Sequence, residues 1–312
     1  MTQPSANPSK RSPSFIQLTT GLRLGLSAAS QVLPRERSVA IERWLRGYEE
    51  ARKLSCSDSV VISFGKSGRT WLRVLISRYF ARKYGLGEER LLEFDEFHRR
   101  NPAVPVLFFT HDNYLKDYRG HDGKFDHYGG CRIVLLIRDP RDVAVSQFFQ
   151  WKNRMKARKK IINAYPPDGT GLDAFVTGRE AGIPKIIDFM NLWARDLDRF
   201  PHLLLVKYEE LRAGTRPELA RILAFLGQHP SEAELADACD YASIDNMRRI
   251  EMENANRSGA NARLKPGDAG DPSSFKVRRG KIGGWRDYVT EEQAGEIDAM
   301  VQENLSPVFG YR

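Results

Sequence analysis

The sequence predicts an α/β protein: a single domain with a central parallel β-sheet flanked by helices, and a P-loop-like phosphate-binding loop at the exit of its first strand. Three observations carry that prediction. Apolar runs of strand length alternate with helical patterns along the chain, as they do where parallel strands are joined by covering helices. Those runs, at 60–64, 104–110, 132–137 and 202–208, are nearly continuous in apolar residues, which suits strands buried on both faces. The first run ends in Gly65-Lys66-Ser67 and passes through a short loop straight into a helical pattern.

In chain order, "MTQPSANPSKRSPSF" is rich in Pro, Ser and Asn and reads as a disordered tail. The run after it, "FIQLTTGLRLGLSAASQVLP", is interrupted by Arg23, too polar for a membrane span. It suits a short amphipathic helix lying on the domain or on a membrane surface, so 1–38 is set apart from a domain spanning 39–312. Val60 to Phe64 form the first strand, Gly65 to Thr70 the loop, and Trp71, Leu72, Leu75, Ile76, Tyr79 and Phe80 recur at helical spacing. "VPVLFFT" (104–110), "RIVLLI" (132–137) and "HLLLVKY" (202–208) supply further strands. Right-handed crossovers place the loops after these strands along one edge of the sheet, where such sheets bind ligands. From Glu253 to Ser274 the chain is rich in Asn, Gly, Ala, Asp and Pro, the composition of a long loop, so 254–280 is expected to act as a mobile lid.

The 312 residues carry 41% apolar side chains, enough for a substantial core, and a net charge of +9 that favours anionic partners without choosing among them. The cysteines, Cys56, Cys131 and Cys239, are odd in number and widely spaced, which fits a reducing compartment and no metal cluster.

The Gly-Lys-Ser is not a complete Walker loop, because Val60 stands where that loop needs its first glycine. What remains still aims backbone N–H groups, a helix dipole, Lys66 and Arg69 at one spot, which suits phosphate or sulfate; the alternative is an ordinary basic strand-to-helix turn. Two further strand exits are polar: Thr110-His111-Asp112, and "IRDPRDVAVSQFF" with Arg138 at the exit and Ser146 two turns into the next helix. Alone, each has a plain structural reading, a satisfied histidine and a helix-start ion pair. Together they point to one ligand.

Lys66-Ser67-Gly68-Arg69-Thr70-Trp71-Leu72 resembles the 5'-phosphosulfate loop (usually Pro-Lys-Ser-Gly-Thr-Thr-Trp) of the sulfotransferases that use 3'-phosphoadenosine 5'-phosphosulfate (PAPS). Arg138 to Ser146 resembles their 3'-phosphate motif nearly residue for residue, and Arg278-Arg279-Gly280-Lys281-Ile282-Gly283-Gly284-Trp285 their Arg-Lys-Gly-x-x-Gly-x-Trp segment, in the same order and spacing. The resemblance covers roughly residues 55 to 305. It implies an enzyme that moves a sulfuryl group to an acceptor hydroxyl or amine without a metal, releasing 3'-phosphoadenosine 5'-phosphate (PAP). Residue by residue it places Lys66 at the bridging oxygen of the phosphosulfate, with Ser67, Gly68, Arg69 and Thr70 around that group. Arg138, Ser146, Arg278 and Arg279 fall on the 3'-phosphate with close backbone approach at Gly280, Trp71, Tyr208 and Ile244 on adenine, and His111 as the base. For Trp71, Tyr208 and Ile244 core packing is the alternative, and His98, His121 and His127 lie near enough in sequence to compete with His111.

The chain departs from the family pattern in several places. Gly65 replaces a proline, Phe109 replaces the lysine before Thr-His, and Arg69 replaces a threonine, so Arg69 is expected to stand in for the missing lysine. The family's C-terminal dimer motif is degraded around Arg286 to Gly295, which argues against dimerisation by that route and leaves the oligomeric state open. Expected partners are a small-molecule, lipid or glycan acceptor and no nucleic acid, in the cytoplasm, with peripheral membrane contact through the N-terminal segment. A P-loop kinase and a nucleic-acid-binding protein are the competing readings. The second rests on "WKNRMKARKK" (151–160), which lacks aromatic interleaving and is more simply a solvated helix, or a face that steers an anionic acceptor.

Overall fold

The computed structural model describes residues 14–87, 91–255 and 264–311. The expected disordered stretch lies largely outside these residues, as does the centre of the expected lid, 256–263. Strands β1 (Ser59–Ser63), β2 (Leu107–Thr110), β3 (Arg132–Ile137) and β4 (Leu203–Lys207) form one sheet in the order β2-β1-β3-β4. All pairings are parallel, with Val60 opposite Phe108 on one side and Ile133 on the other.

Helices of ten residues or more are numbered α1 (Ser14–Ala29), α2 (Arg35–Cys56), α3 (Arg69–Tyr84), α4 (Pro140–Arg154), α5 (Ile183–Ala194), α6 (Thr215–Phe225), α7 (Glu232–Tyr241), α8 (Ile244–Glu253) and α9 (Glu291–Asn304). The strands alternate between two cores. Val60, Ile62, Ile133, Leu135 and Ile137 pack on one face with Val143 of α4, Ile187 of α5 and Ile297 of α9. Val61, Val134 and Leu136 pack on the other with Leu75 of α3, Ile222 of α6 and Leu235 of α7. Burial on both faces is why the runs in sequence are continuous rather than alternating.

The chain turns from β1 to β2 on one side and returns to β3 on the other, so β1 is the point where strand order reverses. Connections diverge there, opening a crevice beyond the carboxyl ends of β1 and β3. The loop after β1 and the turn after β3 are the two segments singled out in sequence.

The N-terminal run is indeed helical: α1 lies on α2, where Thr20 donates to Glu49 at 3.1 Å and Arg23 pairs with the same carboxylate. Leu22, Leu24 and Leu26 remain exposed. Among the described residues, no helix is long and apolar enough to cross a membrane. The basic run 151–160 is not one solvated helix: α4 ends at Arg154, Met155 is extended, and a new helix covers Ala157–Ile162.

Candidate active site

A cavity of about 1240 Å³ occupies the crevice at the reversal point. Every residue assigned to the site from sequence lines it except Ser67, which is buried within the loop. Of the four histidines considered, His111 lines the cavity, while His98 donates to the Val104 carbonyl at 2.8 Å and the tilted rings of His121 and His127, 4.6 Å apart, do not line it.

After β1 the loop turns tightly. Lys66 holds a left-handed backbone (φ 72°), as does Gly68 (φ 97°), and α3 starts at Arg69, two residues earlier than its apolar spacing predicts. Strain of this kind at Lys66 costs about 1–3 kcal/mol and persists where the surrounding structure holds the conformation. Gly68 is required twice over, since its φ disfavours a side chain and a Cβ there would lie 2.5 Å from the Tyr208 ring.

Charge explains the rest of the loop's chemistry. Burial first, then the guanidinium groups of Arg154 and Arg138, hold the Lys66 amine down to about 7. Arg138 donates to Asp142 and to the Lys281 carbonyl, both at 3.1 Å, and stacks 4.3 Å over Tyr208, while its buried Nε has no partner among the described residues. Arg278 lies 3.9 Å over Phe149 and donates to the Tyr288 hydroxyl, and Arg279 pairs with Asp287 at 2.8 Å. Ser146 sits half-buried on the cavity side of α4. Gly280 (φ 63°) packs so closely on Ile244 that a Cβ would approach it to 2.7 Å. Trp71 donates to the Ala242 carbonyl at 2.9 Å and meets Tyr208 edge-on, 5.8 Å between centroids, giving this end an aromatic wall.

At the other end His111 has an unambiguous tautomer. Its Nδ1 lies 2.8 Å from the Ser63 carbonyl, which can only accept, so Nδ1 carries the proton. Nε2 then accepts from Arg69 Nη2 at 2.6 Å. Desolvation, reinforced by Arg69, pushes the imidazole well below its ordinary value, so it is a neutral base. The turn behind it is fixed by Asp112, which is buried, accepts from Tyr128 at 2.8 Å and pairs with buried Lys124 at 2.6 Å.

The exchange of cations is more specific than the sequence suggested. Phe109 points to the opposite sheet face from Phe108 and does not line the cavity; the Arg73 guanidinium lies 4.2 Å from its ring and does line it. Arg73, one turn after Arg69 on α3, brings a second new cation to this end.

Several contributing residues were missed in sequence. Asp142 accepts from Gly283 N at 2.9 Å and from Trp285 N at 3.1 Å while pairing with Arg138, so one buried carboxylate joins the Arg138 turn to the Arg278–Trp285 segment. Glu251, fully buried, accepts from Lys276 N at 2.6 Å and Val277 N at 3.0 Å and pairs with Arg154, anchoring the segment that carries Arg278. The only local signal for Asp142 was its spacing of four from Arg138, and Glu251 gave none.

A sulfotransferase domain model matches residues 127–309, more than half of the chain. The chain belongs to the sulfotransferase family. This sulfotransferase is 24% identical over 285 residues to cytosolic sulfotransferase 5 of Arabidopsis thaliana, covering 83% of this chain and 82% of that protein. It is 23% identical to the flavonol 3-sulfotransferase of Flaveria bidentis, over 82% of this chain and 84% of that protein. Its fold matches a retinol dehydratase solved with retinol and PAP, with a TM-score of 0.57, 18% identity and coverage of 83% and 85%. The sulfotransferase is thus an enzyme of the PAPS-dependent type, and its α/β architecture is the family's.

Proposed function

We propose that this sulfotransferase transfers the sulfuryl group in line from PAPS to an acceptor hydroxyl or amine, with His111 as general base and Lys66 at the bridging oxygen. The observation that carries this reading is the oriented His111 ring, its Nε2 turned into the same cavity that holds Lys66. His111 Nε2 takes the acceptor proton, the acceptor atom bonds to sulfur, and the electron pair of the breaking bond stays on the 5'-phosphate oxygen beside Lys66. A cation there is worth most as that charge develops.

Arg69 currently occupies the Nε2 lone pair. Its guanidinium would turn onto the sulfuryl oxygens, freeing the base as the charge arrives, with Arg73 beside it in place of a lysine at position 109. Ser67, Gly68 and Thr70 supply loop N–H groups to the 5' end. The 3'-phosphate would be held by Arg138, Ser146, Arg278 and Arg279 with the Gly280 backbone, and adenine by Trp71, Tyr208 and Ile244. The described part of the 254–280 segment would close over this end, and no metal is needed. The cytosolic names of the relatives support a cytoplasmic setting, and the exposed leucines of α1 suit peripheral contact with a membrane.

The deciding experiment is His111→Ala. Transfer of labelled sulfate from PAPS to the acceptors of a cell extract should be lost while PAP affinity is kept, because a general base acts in the chemical step. Retained transfer would overturn the role.

A further inference from the structure

The cavity continues past His111 and Lys66 into a chamber whose walls carry charge. A Cβ at Gly65 would stand 3.1 Å from the Gln147 side-chain oxygen, Gln147 bonds the Tyr165 hydroxyl, and the Lys185 ammonium lies 5.6 Å from the Tyr165 ring. That chain of contacts leads outward from the phosphosulfate loop. The helix Ala157–Ile162 brings Lys159 to the cavity as well.

Most cations near this chamber are neutralised within the protein. Arg43 pairs with Asp117 at 2.7 Å, and Lys116 and Lys124 each approach Asp122 at 3.3 Å. On the segment that carries Lys159, Arg158 pairs with Glu42 at 2.7 Å and Lys160 with Asp168 at 2.5 Å. Lys159 and Lys185 differ: neither forms an ion pair with a carboxylate among the described residues, although Asp188 also lines the cavity. The Lys185 ammonium donates to the backbone carbonyls of Asn163 at 3.2 Å and Glu180 at 2.7 Å, and the Lys159 ammonium makes no hydrogen bond or ion pair among the described residues. Lys159 is open to the water of the cavity yet crowded by protein atoms, and that crowding, with Arg69 next, lowers its pKa. Two cavity-lining ammonium groups with no carboxylate partner leave their charge available to a bound anion.

We propose that the acceptor of this enzyme is itself an anion: a hydroxyl compound whose carboxylate, phosphate or sulfate seats on Lys159 and Lys185 while its hydroxyl meets His111. This rests on the transfer reaction above and names its acceptor class. The apolar surfaces of Phe64 and Phe189, which meet edge-on at 5.6 Å and also line the cavity, would pack against the body of such a molecule.

The test compares acids with neutral partners of the same shape on enzyme preloaded with PAP. One pair is 4-hydroxyphenylacetate and its methyl ester; a second, for an acidic sugar, is methyl glucuronide and methyl glucoside. In at least one pair the acid should bind about tenfold or more tighter than its partner, an advantage that shrinks as salt is raised. Lys159→Met combined with Lys185→Met should bring that pair to within about twofold, the size of a residual screened interaction, with PAP affinity unchanged. Acids that bind no better than their partners in both pairs, including no binding of either, overturn the proposal, as does a preference that survives in the double variant. Failure of the wild-type enzyme to bind PAP would instead overturn the reading of the site as a PAPS pocket.

Discussion

PAP binding should take up a proton, and the Lys66 amine should be the group that receives it. The amine sits at about 7 in the free enzyme, against an ordinary value of 10.5, because it is buried among Arg154, Arg138 and Arg278. A nucleotide carrying two phosphate groups reverses that field and lifts the amine back toward its ordinary value. One pH unit above its free-enzyme midpoint only about a tenth of Lys66 is charged, so binding at pH 8 should draw in roughly nine-tenths of a proton. Arginine cannot contribute, since it stays protonated throughout, and the phosphates, with a second pKa near 6, are already ionised at that pH. PAP affinity should accordingly fall about tenfold per pH unit from 7.5 to 9. The sign for the free protein is the opposite: the unfolded chain holds the extra proton between about 7 and 10.5, so the Lys66 contribution to stability is worst below that window and improves as pH rises through it. Calorimetry in buffers of different ionisation enthalpy reads the proton count directly. No uptake at pH 8, or equal uptake by Lys66→Met, would refute the reasoning.

Four further outcomes follow from named contacts. Arg138→Ala should weaken PAP by about ten- to a hundredfold, the worth of a charge-assisted bond, while ADP, without a 3'-phosphate, should hardly change; equal losses in a competition assay would remove Arg138 from that role. Gly68→Ala should lower Tm and PAP affinity together, because the new methyl meets the Tyr208 ring at 2.5 Å; wild-type binding by that variant would count against the loop geometry. Asp142→Ala should cost about 3–5 kcal/mol in denaturant unfolding, as it strands Arg138 in a buried setting; a loss below about 1 kcal/mol would mean that the carboxylate is dispensable. Finally, the acid limb of kcat/KM should lie below pH 6.5, where His111 begins to protonate, and should move upward in Arg69→Met as the neighbouring cation is removed; an unmoved limb in that variant would separate Arg69 from the base.

The sheet was legible because its strands are buried on both sides and therefore unmistakable as apolar runs, and because a parallel sheet gathers its functional loops at one edge. The loop after β1, the Arg138 turn and the Arg278 segment could be singled out because together, in order and spacing, they resemble the motifs of one family, although alone each also has a plain structural reading, and the structure brings them to one cavity. The reading of 151–160 as one helix failed at Met155, where an extended residue ends the helix and the short helix after it brings Lys159 to the cavity. Charge runs report polarity, not direction. Position 109 misled for a related reason, since strand alternation sends its side chain to the far face and Arg73, from another element, takes the place beside it. Asp142 and Glu251 lay beyond reach because their partners are backbone N–H groups of a distant segment, and such bonds leave no mark on residue type.

The link from Asp142 to Gly283 and Trp285 also bears on how this protein comes into being. Its partners are 141 and 143 residues further along the chain, so the half of the nucleotide pocket made before them waits, with a carboxylate and an arginine facing each other, for the last tenth of the polypeptide. Closing so long a span is entropically expensive and slow compared with forming the local helices. A ribosome-bound chain ending before Gly283 should therefore hold a folded sheet and no working pocket, and free PAP, by binding only the finished arrangement, would draw the completed chain toward it.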